Sequence, residues 1–193
     1  IFEDVEGYSD CKVVSNLVSS RDLIANGLGI RKEDIIDKIS NSLDDPLKCK
    51  ITEPKFKKVA DNPDIEKYIP IPTFYKRNKR RYFASSMVIA KDPETGVQNL
   101  SFHRMMYNGD NEIVIRIVER HLYDIYEKSG KELDIAIIMG VHPAVEFAAA
   151  TSFSPDLDEL ELANKLLNGR LKLSEVNGLK IPSDSELVMF ATI

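Results

Sequence analysis

The chain reads as an α+β fold, an antiparallel barrel-like sheet with helices packed on it. Three observations point there. Turn sequences at Asp92-Pro-Glu-Thr-Gly96, Asn108-Gly109 and Asn177-Gly178 are each flanked by apolar runs of strand length. Capped, helically spaced stretches lie between Ser20 and Leu43, and two later stretches led by Pro143 and Pro155 are rich in alanine and leucine. Hairpin turns make neighbouring strands antiparallel, and helices between them must pack on a sheet face.

Residues 11–18 suit a strand. Ser20 can cap a helix over residues 21–26, which Gly27 and Gly29 end. Residues 31–43 supply a second helix, with Ile35, Ile36 and Ile39 at helical spacing, and Asp44-Asp45-Pro46 breaks it. Residues 1–50 therefore read as a small N-terminal α/β lobe and residues 51–193 as the main domain. Pro54, Pro63, Pro70 and Pro72 mark short strands, turns and an extended connector. Residues 82–90 and 98–106 are two strands joined by the first turn, where Pro93 presets φ and Gly96 permits a positive one. Asn108-Gly109 leads into an apolar strand over residues 112–118, interrupted only by Arg116. A helix over 120–129, a buried strand over 133–139 and a helix over 143–150 with Pro143 in its first turn follow. Pro155 opens a helix through Leu167, closed by Gly169. Residues 171–176 and 179–193 end the chain as a hairpin or a bent strand.

With 193 residues, 43% of them hydrophobic, the chain can bury a real core. Its net charge of −5 leaves no general basic excess for binding nucleic acid. The run Lys-Arg-Asn-Lys-Arg-Arg at residues 76–81 is the exception, read as a solvated turn with an anion or partner contact as the alternative. No apolar stretch approaches the ~20 residues of a membrane span and no signal-peptide pattern occurs, so a soluble, cytoplasmic protein is expected. Cys11 and Cys49 lack the spacing of a zinc or redox motif and read as reduced packing residues, with a disulfide left open. The chain opens on Ile1 without a methionine and stops within a strand-like alternation, the expectation for a piece of a longer protein.

Asn99 and Arg104 lie five apart, so on a regular strand they face opposite ways, whereas Asn99 and Ser101 share a face. Their convergence needs a bulge or a strand end. Arginine suits a carboxylate because its planar fork can grip both oxygens. His121 opens a helix, where an imidazole serves as a polar packing group, a cap or a ligand; His103 and His142 compete for the last role. Glu159 stands in an acidic first helical turn with Asp156, Asp158 and Glu161, which complement the helix dipole without any metal. The small residues 148–152 (Ala-Ala-Ala-Thr-Ser) suit tight helix packing.

Taken in order, Asp92-Pro-Glu-Thr-Gly96, Asn99-Leu-Ser-Phe-His-Arg104, Arg120-His121-Leu122 and the alanine-rich helix leading to Asp158-Glu159 resemble the UbiD family of non-oxidative decarboxylases. The resemblance runs over nearly the whole chain and is strongest over residues 82–162. It implies a split β-barrel flavin-binding domain that holds prenylated FMN with a divalent metal, Mn²⁺ for preference, and potassium as a further ion. It implies Asn99, His121 and Glu159 as metal ligands and Arg104 as the catalytic residue that contacts cofactor and substrate carboxylate. Ser101, Phe102, Arg120, Ala149, Ala150 and Thr151 are implied beside the cofactor. Its implied partners are a small carboxylic acid substrate, a flavin prenyltransferase that supplies the cofactor and further copies of the chain in a homo-oligomer.

The resemblance has one gap. Family enzymes carry an acidic loop, roughly E-G-P-F-G-E, beyond the segment matching Glu186 to Val188, and no such run occurs here. Glu186 reads as a strand residue and no candidate for the catalytic acid, so residues 1–193 alone are expected to be inactive. Ile69-Pro-Ile-Pro72, Phe74-Tyr75 and Arg120-His-Leu-Tyr123 look similar to archaeal-type members, which act on phosphorylated isoprenoid-precursor acids or on polyprenyl-hydroxybenzoates. Both substrates stay open, as do a non-catalytic flavin- or phosphate-binding module and an assembly domain.

Overall fold

The computed structural model describes residues 1–58, 60–77, 79–151, 154 and 157–193. Its elements are α1 (Arg21–Leu28), α2 (Ile35–Asp44), β1 (Lys50–Ile51), β2 (Tyr82–Phe83), β3 (Met87–Lys91), β4 (Gln98–Phe102), β5 (Arg104–Gly109), β6 (Glu112–Arg116), α3 (His121–Lys128), β7 (Asp134–Met139), α4 (Pro143–Ala150), α5 (Glu159–Leu166), β8 (Lys172–Val176), β9 (Leu179–Pro182) and β10 (Leu187–Thr192). The strands form three sheets, ordered β1-β8-β9, β10-β7-β3-β4 and β2-β5-β6. All pairs are antiparallel except β1 with β8. The fold mixes α and β as expected, but among the described residues the three sheets do not close into a barrel.

The central sheet is buried on both faces. Along β3, Met87 and Ile89 turn into one hydrophobic core while Val88 and Ala90 turn into another; along β7, Ala136 and Ile138 join the first and Ile135 and Ile137 the second. The period-2 alternation of a strand explains this division. The first core is roofed by α4 and α5, whose Ala144, Ala148 and Ala163 are small enough for helix and sheet to pack closely. Each fully buried Ile, Leu or Met contributes about 1.5–3 kcal/mol.

The hairpin around Asp92 to Gly96 differs from its expected form. β3 pairs with β4 from Met87↔Phe102 to Lys91↔Gln98, while β2 pairs with β5 at Tyr82↔Met106 and Phe83↔Met105. Residues 84–86 thus stand opposite only His103 and Arg104, and the ladder changes sheet at that mismatch. The unbroken strands over 82–90 and 98–106 are corrected to one long hairpin bent in its middle, its two halves in different sheets. The next turn falls on Asp110-Asn111, two residues beyond Asn108-Gly109, because the ladder slips between Tyr107 and Gly109. Asn177-Gly178 forms its turn as expected, both residues at positive φ.

Ser20 caps α1, its Oγ accepting from the Leu23 N–H at 3.2 Å, and Gly29 ends it at φ 69°. Residues 11–18 form no strand; Val13 makes an isolated bridge to Phe2, and Val14, Leu17 and Val18 are exposed. Apolar alternation without a partner strand has no ladder to join. In α2, Ile35 is buried and Ile39 packs on the first core, but Ile36 faces solvent. Glu186 precedes β10 in a bend instead of lying in the strand, its N–H donating to the Gly140 carbonyl. Both cysteines are free thiols. In the basic run, Arg81 pairs with Glu66 and stacks 4.7 Å from the Tyr107 ring centroid, whereas Lys76, Arg77 and Lys79 are exposed; Asn78 lies outside the described residues. So do Ser152, Asp156 and Pro155, the expected start of the helix that is described as α5. No helix among the described residues is long and apolar enough to cross a membrane.

Candidate active site

The turn that launches β4 is fastened by Asp92. Its Oδ1 accepts the N–H groups of Glu94 and Thr95 at 2.8 and 3.1 Å, and its Oδ2 takes Lys128 Nζ at 2.7 Å. Burial pushes the Asp92 carboxyl up, but Lys128 and the turn N–H groups outweigh it and hold it below the ordinary range. β4 then runs along the free edge of the central sheet. Gln98, Asn99 and Leu100 are buried there, Leu100 in the first core.

Edge strands leave backbone groups unpaired, and here side chains take them up. Glu159, the first residue of α5, accepts the Leu100 N–H on Oε2 at 2.9 Å and Asn99 Nδ2 on Oε1 at 2.9 Å. Gln98 binds the backbone of Lys180 on β9 through both ends of its amide, at 2.9 and 2.7 Å. Asp158 caps α5 by accepting the Leu160 N–H at 2.8 Å.

Glu159 is only 3% exposed and Asn99 7%. Burial pushes the Glu159 carboxyl up to about 7, against the stabilising Leu100 N–H, and Asp158 adds to the rise. Asp158 is itself raised to about 6, again by burial. No Lys or Arg among the described residues pairs with Glu159. A buried carboxylate held only by neutral donors favours a cation beside it.

His121 is the first residue of α3. It lines a cavity of about 400 Å³ together with Asn99 and Glu159, and with Asp92, Gln98 and Lys128 on the surrounding wall. The three residues expected to hold a metal thus share one cavity. Among the described residues no three His, Cys, Asp or Glu side chains gather as a metal cluster. A cation here would therefore rest on an amide oxygen, an imidazole and a carboxylate, with further positions filled from outside the chain. That set suits a hard divalent ion such as Mn²⁺.

The residues expected beside a cofactor are spread more widely. Ser101 Oγ lies 2.8 Å from Asn99 Oδ1. Phe102 is exposed where the hairpin bends, and Arg104 follows on the exposed face of β5, its Nη2 donating to the Tyr82 hydroxyl at 3.0 Å and its guanidinium 4.7 Å from that ring's centroid. The mismatch at His103 breaks the regular alternation between Asn99 and Arg104, and Arg104 rests on Tyr82 outside the cavity. Arg120 is exposed and precedes α3. Ala149 is buried in the first core, Ala150 is exposed, and Thr151 ends α4 with its hydroxyl donating to the Phe147 carbonyl at 2.7 Å. None of these lines the cavity.

Sequence reasoning missed Lys128 and the role of Asp92 in the cavity wall, and Tyr82 as the partner of Arg104. In the sequence Gln98 is only the first residue of an expected strand, with no sign of its hold on Lys180. His142, one of the competing histidines, caps α4, its Nδ1 accepting the Ala144 N–H at 3.1 Å.

Comparison with known proteins bears on this arrangement. A family model described as "UbiD: 3-octaprenyl-4-hydroxybenzoate carboxy-lyase Rift-related domain" matches residues 48–193. The chain is 36% identical over 174 residues to the anhydromevalonate phosphate decarboxylase of Methanothermobacter thermautotrophicus, covering 89% of this chain and 41% of that protein. It is 37% identical over 188 residues to the protein of the same name from Methanocaldococcus jannaschii, covering 93% and 43%. Among solved structures, the UbiD-class enzyme HmfF from Pelotomaculum thermopropionicum in complex with FMN superposes with a TM-score of 0.92 at 33% identity, covering 100% of this chain and 45% of that one. An evolved dimeric form of HmfF in complex with prFMN also reaches 0.92, with 47% of it covered. The chain spans less than half the length of these relatives.

Proposed function

The chain belongs to the UbiD carboxy-lyase family, and on that premise we propose that it forms the prenylated-FMN-holding part of a decarboxylase acting on an unsaturated or hydroxyaryl carboxylic acid. The observation that carries this reading is the cavity that Asn99, His121 and Glu159 share, with Glu159 buried and, among the described residues, paired with no cationic side chain. When bound, prenylated FMN supplies the electron sink that lets a carboxylate leave as CO₂. Asn99, His121 and Glu159 would hold a divalent ion, which would supply positive charge for a phosphate-bearing cofactor. Arg104 orients the substrate carboxylate through its fork. Ser101, Phe102, Arg120, Ala149, Ala150 and Thr151 stand near the cofactor when the rest of the site is assembled.

Relatives named anhydromevalonate phosphate decarboxylase favour a phosphorylated isoprenoid-precursor acid over a polyprenyl-hydroxybenzoate. The three sheets are read as parts of a split barrel, with residues 1–50 as an adjoining lobe. A flavin prenyltransferase supplies the cofactor, and the dimeric HmfF form supports assembly of the intact protein as a homo-oligomer.

The test is CO₂ release by the intact protein loaded with prenylated FMN and Mn²⁺, given a phosphorylated unsaturated acid and a hydroxyaryl acid in separate reactions. Release from the phosphorylated acid, and none from residues 1–193 alone, is the expected result. Cofactor binding without release from any acid would leave a binding module in place of an enzyme.

A further inference from the structure

His103 belongs to a continuous chain of polar groups that ends at the proposed cation. Its Nδ1 lies 3.2 Å from the Arg116 carbonyl and its Nε2 lies 2.9 Å from Ser101 Oγ. Ser101 Oγ lies 2.8 Å from Asn99 Oδ1, and Asn99 Nδ2 faces Glu159 Oε1 at 2.9 Å.

Asn99 Nδ2 donates to Glu159 Oε1, which sets the amide with its nitrogen toward Glu159 and its oxygen toward Ser101. The Arg116 carbonyl accepts only, so His103 carries its proton on Nδ1. Burial lowers the affinity of His103 for a second proton, and in the neutral ring Nε2 is then an acceptor. The Ser101 hydroxyl has one hydrogen and faces two acceptors, His103 Nε2 and Asn99 Oδ1. Among these groups the chain is one donor short at Asn99 Oδ1. A cation on that oxygen removes the shortage without breaking any other contact.

Resting on the reading of Asn99 as a cation ligand, we infer that His103 is a positioning residue: by accepting the Ser101 hydroxyl it leaves Asn99 Oδ1 free to ligate the divalent ion. Without an acceptor at residue 103, the hydroxyl turns to Asn99 and competes with the ion for the same oxygen. This is the arrangement by which groups behind a ligand set its orientation and basicity.

The test is Mn²⁺ binding to the intact apoprotein, read from the electron paramagnetic resonance signal of free Mn²⁺, with no turnover required. His103→Phe removes the acceptor and is expected to weaken binding roughly tenfold. His103→Gln, whose amide oxygen can take the hydroxyl, should bind as the parent does. The double variant Ser101→Ala with His103→Phe removes the competing hydroxyl as well and should recover parent affinity to within about twofold. A merely structural role for His103 would leave the double variant at least as weak as His103→Phe, and that result overturns the inference. So does unchanged binding in His103→Phe while Asn99→Ala loses the ion. If Asn99→Ala binds Mn²⁺ as the parent does, the cation site itself is misread and this inference falls with it. Should His103→Phe fail to fold, His103→Asn, too short to reach Ser101, replaces it in both comparisons.

Discussion

Asn99 Nδ2 and Glu159 Oε1 meet at 2.9 Å across 60 positions of sequence, one on the edge strand of the central sheet and the other at the start of α5. The contact joins two of the three proposed ligands directly to each other. Asn99→Ala and Glu159→Gln in the intact protein are each expected to weaken Mn²⁺ binding by roughly tenfold or more. Arg104→Ala should abolish CO₂ release with Mn²⁺ binding unchanged, since its guanidinium rests on Tyr82 and outside the cavity. Calorimetric titration with Mn²⁺ beside a CO₂ assay separates the two effects.

The buried carboxyls make the metal-free protein's stability fall with rising pH. Burial raises Glu159 to about 7 and Asp158 to about 6, so the native state binds protons more tightly than the unfolded chain. Their contribution is fully present below the unfolded carboxyl range near 4 and is lost as pH rises through 6 to 7. For Glu159 the loss is on the order of 3 kcal/mol. Thermal unfolding in chelator at pH 5 and pH 8 should show a larger fall for the parent than for Glu159→Gln. An equal fall in both would remove Glu159 from the account.

Two buried amides act as cross-links between distant segments. Asn164 donates to the carbonyls of Leu47 and Lys48 and accepts the Leu171 N–H, while Gln98 holds Lys180. Asn164→Leu and Gln98→Leu each leave backbone groups without the side-chain partner that ties two segments together. A loss of about 2–4 kcal/mol is expected for either, measured by urea unfolding.

Gly140 has φ 65°, and a Cβ built there would lie 2.6 Å from the Glu186 Cβ and 2.8 Å from its Cγ. These atoms are close to the backbone and cannot swing clear. Gly140→Ala is expected to cost about 3 kcal/mol from the backbone conformation and the overlap together. Adding Glu186→Gly should recover the part due to overlap, as judged by melting temperature.

The Cys49 thiol donates to the Leu160 carbonyl at 3.4 Å, and burial, reinforced by Asp158 and Glu161, pushes it up to about 12. Its thiolate is scarce at neutral pH, so alkylation by iodoacetamide at pH 8 should be roughly a thousandfold slower than for a free cysteine. Mass spectrometry of the Cys49 peptide before and after unfolding in urea measures this.

Local chemistry made much of the molecule legible. The Ser20 cap, α4 from Pro143 to Ala150 and the turns at Gly96 and Asn177-Gly178 each depend on a few adjacent residues, and all stand where the sequence puts them. What the sequence could not reveal depends on partners far along the chain. Residues 11–18 have strand-like alternation but no neighbouring strand, and the change of sheet at His103 arises from competition between two ladders for one hairpin. The gathering of Asn99, His121 and Glu159 around a common cavity was legible only through resemblance; their spacing alone gives no reason for α3 and α5 to meet β4. Gln98 and Asn164 look like any polar residue until the backbone they bind is known.

Because β3 and β7 each send alternate side chains into different cores, neither half of the molecule can melt and leave the other intact. Loss of the helical roof would wet one face of both strands, and loss of the hairpin side would wet the other. Amide hydrogens on β3 and β7 should accordingly exchange only through global opening, and at one shared rate limit. An ion settling at the start of α5 would then slow exchange in Ile135 and Ile137, on the far side of the sheet, as much as in the helix it touches.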